Sequence, residues 1–324
     1  MTGIGRTGGT GFRVSRLRRR LAQGVDRAFL ADDGRELPAL VVAGAPRSGT
    51  TWLAEVLARA TGSRLLFEPL APWAIPSNLA VPAFPYLQAD DESPALEAYV
   101  RRVLTGGVRG GWIDKQPVTR RPLGRLAKFV RVSFMLGWLH RRFPHLVLVF
   151  VTRDPWSVVR SRVDMGWDPA PDLGALLAQA PLLEALGPLA DEVRLVRTRL
   201  GGGAEAEVEA NAVLWAVANR VAHAGLNVLP AIRVSYEVLR DDPPGELGRL
   251  IDEVARRGGF DTRGAARALA AETRPSMTSR GTAGAHGREP FERRFGAEAA
   301  SSVGDVAARF GLGWARGHGW ELRP

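Results

Sequence analysis

The stretch that most constrains the fold runs from Pro38 to Ala60, PALVVAGAPRSGTTWLAEVLARA. Residues 38–45 are a short apolar run without the alternation of a half-buried strand. They suit a strand covered on both faces, which in turn requires helices above and below the sheet. Glycines then punctuate a short loop. Residues 50–60 read as a helix, with Ser48 and Thr50 placed to cap it.

The same alternation continues along the chain. SRLLFEPL (63–70) gives a second short strand ending at Glu68-Pro69. Residues 69–94 are rich in proline and aromatics, too long for a mere connector and of the kind that forms lids or binding loops. GGWIDKQP (110–117) reads as a short extended piece and 122–142 as helical. HLVLVFVTRDP (145–155) is the strongest strand signal, stopped by Pro155, and a helix starts at 156. Helical runs at 173–200 and 205–225 are separated by GGG. AIRVSYEVL (231–239) reads as a strand, and helices at 245–257 and 262–271 lead into a Gly/Arg-rich region at 274–296. Short apolar strands alternating with helices predict an α/β fold, a parallel sheet flanked by helices on both faces. Residues 1–36 are expected to be an N-terminal extension, disordered over 1–12 and carrying a basic surface helix over Phe12–Leu30. Residues 37–324 are expected to form a single domain.

Composition narrows the chemistry. There is no cysteine, so disulfides, cysteine-ligated zinc and thiol nucleophiles are excluded. No apolar run reaches the length that crosses a bilayer and the N-terminus lacks an apolar signal core, so a cytoplasmic protein is expected. The net charge is +10, and of 44 basic residues only Lys115 and Lys128 are lysine. Such arginine enrichment, alongside Ala and Gly, reads first as a bias of the whole chain, with much of it on solvated surface. Its sharper reading is attraction of a polyanionic ligand. Against that background the two surviving lysines mark places where a compact ammonium is needed. Lys128, with Arg125 and Arg131 beside it on the expected helix, reads as a solvated face. The five histidines show no metal spacing and read as ordinary polar residues.

The loop after the first strand nearly spells the phosphate loop G-x-x-x-x-G-K-[ST]. Gly44, Gly49 and Thr51 are in place, but Thr50 stands where the lysine belongs and the charge sits at Arg47. A glycine loop opening a helix presents backbone N–H groups to an anion. Without the lysine that reaches the β- and γ-phosphates, a metal-bound triphosphate fits poorly. Arg47 can instead fork onto a phosphate or sulfuryl oxygen. In LVFVTRDPWSVVRSR, Arg153 at a strand end and Ser161 two turns into the next helix form a second anion pocket. Two pockets suit a ligand with two separate phosphate groups.

Together, APRSGTTWL and FVTRDPWSVVRSR resemble the two nucleotide motifs of the PAPS-dependent sulfotransferases, whose donor is 3′-phosphoadenosine 5′-phosphosulfate. VSYEVLRDDP is similar to the family's Y-E-x-L-x-x-D-P stretch, and the three segments follow the family's order from Pro38 to Pro244. The resemblance implies a P-loop-type sheet. It also implies that Arg47, Ser48, Gly49, Thr50 and Thr51 grip the 5′-phosphosulfate, that Trp52 packs on the adenine, that Arg153 and Ser161 hold the 3′-phosphate, and that Tyr236 lies near the adenine edge. Many members have lysine where this chain has Arg47.

Transfer needs a base for the acceptor's proton and a cation for the leaving phosphate. Cytosolic small-molecule members use a histidine after the second strand; here that place reads LLFEPL, with Glu68. The chain is therefore nearer the branch that includes glycan-modifying enzymes, in which a glutamate is the base. That branch carries a lysine in an E-K-T-P-like segment, matched here by Lys115 in WIDKQP. Asp114 is an alternative base or a partner of Lys115. In the basic, glycine-containing C-terminal region, Arg280 corresponds loosely to the family's nucleotide loop and Arg288 is its rival. Trp73 and Phe84 either line the acceptor pocket or anchor the proline-rich loop. The implied activity is transfer of a sulfuryl group from PAPS to a hydroxyl or amine acceptor, a carbohydrate, lipid or secondary metabolite, with PAP as product and no metal. The competing readings are a P-loop kinase, which requires Mg²⁺ and ATP, and a basic nucleic-acid-binding protein, for which no recognition module is found.

Overall fold

Five parallel strands run through the middle of the chain in the computed structural model, which describes residues 30–322 apart from 33, 35, 117, 228, 271–285 and 316–318. The expected helix over Phe12–Leu30 therefore lies almost wholly outside the described residues. In chain order, β1 (Ala39–Ala43) leads through the glycine loop into α1 (Thr50–Ala60) and β2 (Ser63–Phe67). An irregular segment precedes α2 (Pro94–Leu104), then come β3 (Gly124–Phe129), α3 (Leu136–Arg142) and β4 (Val147–Thr152). The helices α4 (Pro155–Asp164), α5 (Ala170–Leu177), α6 (Ala180–Leu186), α7 (Leu189–Arg199) and α8 (Ala204–Leu226) follow before β5 (Ile232–Ser235). The rest is α9 (Tyr236–Asp241), α10 (Pro243–Gly258), α11 (Ala265–Ala270), α12 (Arg288–Phe295), α13 (Ala297–Arg309) and an antiparallel pair, β6 (Leu312–Ala315) and β7 (Gly319–Leu322).

The strand order is β2-β3-β1-β4-β5. Side chains alternate between the faces of a strand, so each strand feeds two cores. Val41, Ala43, Ala127, Phe129, Leu148 and Phe150 pack on one face with α2, α3, α4, α8 and α13. Leu40, Val42, Leu126, Val147, Val149 and Val151 pack on the other with α1 and α10. Every residue of β3 and β4 is buried, which is why neither reads as an alternating strand. The α/β class predicted from the sequence is the class observed.

Four local expectations fail, each for a physical reason. Residues 122–142 were expected to be helical, and this holds only over α3, Leu136–Arg142. The stretch 124–129 is instead the strand β3, and Arg125 and Lys128 are buried within it beside carboxylates. The lysine read as part of a solvated face is 3% exposed. The expected extended piece at 110–117 is, over residues 111–116, a run of turns and bends, and the amide of Asp114 donates to the carbonyl of Gly110; Pro117 lies outside the described residues. The strand expected over 231–239 stops at Ser235, and Tyr236 opens α9. No side chain caps α1; its N-cap is Gly49, in the left-handed region at φ 87°.

At the amino end of the sheet a buried charge cluster holds the chain before β1. Arg64 and Arg125 both donate to Asp32, and Arg64 also donates to Asp114 and to the carbonyls of Gly106 and Val108. Arg109 donates to the carbonyls of Leu30 and Asp32. Burial alone would raise the Asp32 carboxyl; the hydrogen bonds from Arg125 and Arg64 outweigh it and bring it to about 2.

Candidate active site

In a parallel sheet the crevice opens where neighbouring connections depart to opposite sides, beyond the carboxyl ends of the strands. Here that point lies at β1, flanked by β3 and β4. The loop from Gly44 to Gly49 leaves β1 at this crevice. A Cβ on Gly44 would lie 2.5 Å from the carbonyl oxygen of Val151, so the loop passes hard against β4. A Cβ on Gly49 would lie 2.3 Å from the Tyr236 ring. Arg47 is held at φ 75°, and the only other described non-glycine residue with positive φ is Glu68, at 40°. Left-handed backbone at an ordinary side chain costs about 1–3 kcal/mol and persists where its surroundings impose it.

The first turn of α1 leaves its backbone N–H groups without carbonyl partners inside the helix. Ser48 Oγ, buried beneath them, has no hydrogen-bond partner. Arg47 Nε donates to Ser161 Oγ at 2.8 Å, joining the β1 loop to α4. Burial, then the neighbouring Arg153 and Arg162, hold the Arg47 guanidinium below its ordinary pKa.

Arg153 ends β4. It donates to the carbonyl of Arg47 at 2.9 Å, and its Nη2 lies 2.6 Å from His286 Nδ1. Its guanidinium sits 4.3 Å over the Tyr236 ring, and its buried Nε has no partner. Among the described residues neither Arg47 nor Arg153 has a carboxylate partner. Trp52, at the start of α1, meets Tyr236 edge-on with centroids 5.9 Å apart. Asp154 caps α4 by accepting from the Ser157 amide at 2.7 Å, leaving its buried Oδ2 unpartnered. Beside it, Glu237 is pushed up to about 7 by burial and then by the Asp154 charge.

A second centre lies past the end of β2. Glu68 Oε1 accepts from Lys128 Nζ, and Oε2 lies 3.6 Å from Arg131 Nη1. The Glu68 amide donates to the carbonyl of Lys128 at 3.0 Å, which ties the turn to β3. Burial holds Lys128 well below the ordinary lysine range, against the pull of Glu68; Arg131 and Arg47 add to the depression. Lys115 Nζ is 3.4 Å from the Phe67 ring centroid and 3.5 Å from that of Trp112. Desolvation brings it down to about 8, with Glu68 opposing and Lys128 assisting. Trp73, 62% exposed, packs edge-on against Trp112 at 5.1 Å and receives Arg131 on its face at 5.6 Å. Phe84 is buried against Phe134, so it anchors the proline-rich loop.

The sequence-derived candidates thus fall into two adjoining groups. Arg47, Ser48, Gly49, Thr50, Thr51, Trp52, Arg153, Ser161 and Tyr236 gather at the ends of β1 and β4. Glu68 and Lys115 share the other centre. Asp114 is not a partner of Lys115: both its oxygens are held by Arg64 and one also by the Gly110 amide. Arg288 points to Ser301 Oγ on α13, and Arg280 lies outside the described residues. Sequence reasoning missed Lys128, Arg131 and His286. The scarcity of lysine was the available signal for Lys128, but the helical reading overrode it. His286 carried no signal, because only the fold brings it to Arg153.

Comparison with known proteins adds three findings. Residues 38–174 match the model of the sulfotransferase family. No curated protein matches the chain. Among solved structures, a crystal structure of a sulfotransferase from Alicyclobacillus acidocaldarius is similar at 14% identity with a TM-score of 0.36, over 85% of this chain and 96% of that one.

Proposed function

We propose that this chain, of the sulfotransferase family through residues 38–174, moves a sulfuryl group from PAPS to a hydroxyl-bearing acceptor, working as one domain over residues 37–324. The observation that carries the reading is the pair of arginines at the crevice, Arg47, which donates to Ser161, and Arg153, which donates to the Arg47 carbonyl, without carboxylate partners among the described residues. Two like charges at one site, Arg153 buried and Arg47 half-buried, are costly unless a ligand supplies the counter-charge. The residues present fit such a nucleotide. Ser48 Oγ and Arg153 Nε are buried donors without partners, and the first-turn amides of α1 face the same crevice. Trp52 and Tyr236 offer ring faces and edges for a base.

In this reading the loop amides, Arg47 and Ser48 hold the 5′-phosphosulfate, and Arg153 with Ser161 holds the 3′-phosphate. The donor supplies an activated sulfuryl group for in-line transfer. Glu68 is the base. Its Oε1 is taken by Lys128, whereas 3.6 Å from Oε2 to Arg131 is too long for a hydrogen bond, so Oε2 keeps a lone pair for an acceptor O–H. Lys115 and Arg47 supply positive charge where the leaving phosphate gains negative charge. Asp114, with both oxygens engaged by Arg64, is the poorer candidate for base.

The reading is tested by incubating the protein with PAPS and a panel of carbohydrate, lipid and small-metabolite alcohols, followed by mass spectrometry. The expected result is an acceptor heavier by one sulfuryl group, formed in the presence of EDTA and strongly reduced by Glu68→Gln. Phosphorylated products from Mg²⁺-ATP, with none from PAPS, would replace this reading with a kinase.

A further inference from the structure

His286 stands at a position that the nucleotide assignments leave unexplained. It precedes α12, and its Nδ1 lies 2.6 Å from Arg153 Nη2. Arg153 is permanently protonated, so it must be the donor and Nδ1 must be an unprotonated acceptor. The ring also lies 5.7 Å from that of Tyr236, and the next amide, of Gly287, donates to Ser157 Oγ on α4 at 2.9 Å. The imidazole is thus held beside Arg153 and Tyr236, with its neighbour Gly287 tied to α4.

We propose that His286 is a ligand of the phosphate held at Arg153 and Ser161, and that it takes up a proton as that phosphate binds. This deepens the function proposed above and rests on it. The groups around the ring explain the coupling. Arg153 and Asp154 face it from the end of β4, Arg160 from α4, and Arg240 and Tyr236 from α9. Three guanidiniums against one carboxylate disfavour an imidazolium. Burial first, then Arg153 and Arg240, bring His286 down to about 4. A phosphate dianion reverses the sign of that field. It also displaces Nδ1 as the acceptor for Arg153, because a charged oxygen is the stronger acceptor. The freed Nδ1 takes a proton from solvent and donates it to the same phosphate. One neutral hydrogen-bond acceptor is exchanged for one charged donor, and the net change is uptake of one proton.

The experiment is calorimetric titration of the full chain with 3′,5′-ADP and with 5′-AMP between about pH 4.5 and pH 7, in wild type and His286→Asn. Asparagine keeps an acceptor for Arg153 but does not titrate. The ligand's own phosphate ionisation is common to both proteins and cancels in the ratio of their affinities. Wild type is expected to gain over His286→Asn for 3′,5′-ADP by up to about tenfold per unit of falling pH. Affinity for 5′-AMP should be the same in both proteins. A ratio for 3′,5′-ADP that stays constant with pH, while 3′,5′-ADP still outbinds 5′-AMP, overturns the role of His286 alone. Equal affinity of wild type for the two nucleotides overturns the phosphate assignment and this inference together. If His286→Asn does not fold, side-chain NMR of wild type decides. The His286 ring should titrate near pH 4 when free and at least two units higher with 3′,5′-ADP bound, about a hundredfold linkage, and an unmoved titration overturns the proposal.

Discussion

Glu68 and Arg47 are the two described side chains whose backbone adopts the left-handed region, and they head the two halves of the site. Strain at those positions fixes where the proposed base and the proposed phosphate-gripping cation point. Glu68→Gln preserves the shape and the contact with Lys128 but cannot accept a proton. It should lower kcat by about 10²–10⁴ with the affinity for 3′,5′-ADP unchanged. Steady-state kinetics with a binding isotherm separate this from a folding defect, which would lower both. Lys115 gives the matching pH dependence. Desolvation lowers it to about 8, so it is charged below that pH and neutral above it. If its charge serves transfer, kcat/KM should fall as pH rises through about 8, and in Lys115→Arg, which stays protonated, the fall should disappear. At this scale Arg47, Arg153 and Ser161 were legible from local motifs. Lys128 and His286 were not, since their partners Glu68 and Arg153 lie 60 and 133 residues away in sequence.

The glycine loop between β1 and α1 was legible as an element, because an apolar strand, two glycines and a helix leave few alternatives. Its tightest point is Gly49, where a Cβ would both occupy φ 87° and meet the Tyr236 ring at 2.3 Å. Gly49→Ala should destabilise by about 1–3 kcal/mol through backbone strain alone, and displacing Tyr236 should weaken nucleotide binding as well. Thermal melting with and without 3′,5′-ADP checks both effects; an alanine that melts and binds like wild type would remove the close approach from the account. β3 was illegible for the opposite reason. A central strand is expected to be apolar, and β3 instead carries Arg125 and Lys128, buried against Asp32 and Glu68. Those carboxylates belong to other elements, so the local pattern imitated a polar helix face. The turns over residues 111–116 are likewise held by Arg64 reaching across to Asp114, a contact local propensity does not announce.

Over the whole molecule the arginine excess divides into two populations. Many arginines sit on helix surfaces beside acids three or four residues away, as Arg101 beside Glu97 and Arg257 beside Glu253. Exposed pairs of this kind contribute little, about 0–1 kcal/mol each, which fits a compositional bias. Arg64 and Arg125 are different, because they bind the residues before β1 to the sheet through Asp32. Removing that carboxylate strands two buried guanidiniums, so Asp32→Asn should cost about 3–5 kcal/mol. The depressed Asp32 carboxyl contributes stability that is complete above its unfolded value of 3.8 and is lost as pH falls through about 2. Denaturant unfolding between pH 3.8 and about 2 should therefore show a steeper loss of stability in wild type than in Asp32→Asn; parallel curves would remove Asp32 from the acid response.

The sheet order places β1 between β3 and β4, so the loop with Arg47 and the strand end with Arg153 share one crevice. This crevice is proposed to bind a nucleotide with phosphates on both sides of its ribose. Calorimetric titration of the protein in EDTA with 3′,5′-ADP, 5′-AMP and ATP tests it without knowledge of the acceptor. The account predicts that 3′,5′-ADP binds well ahead of the other two, and that Arg153→Ala reduces it to the level of 5′-AMP. Equal binding of 3′,5′-ADP and 5′-AMP, or a preference for ATP that appears only on adding Mg²⁺, would contradict it.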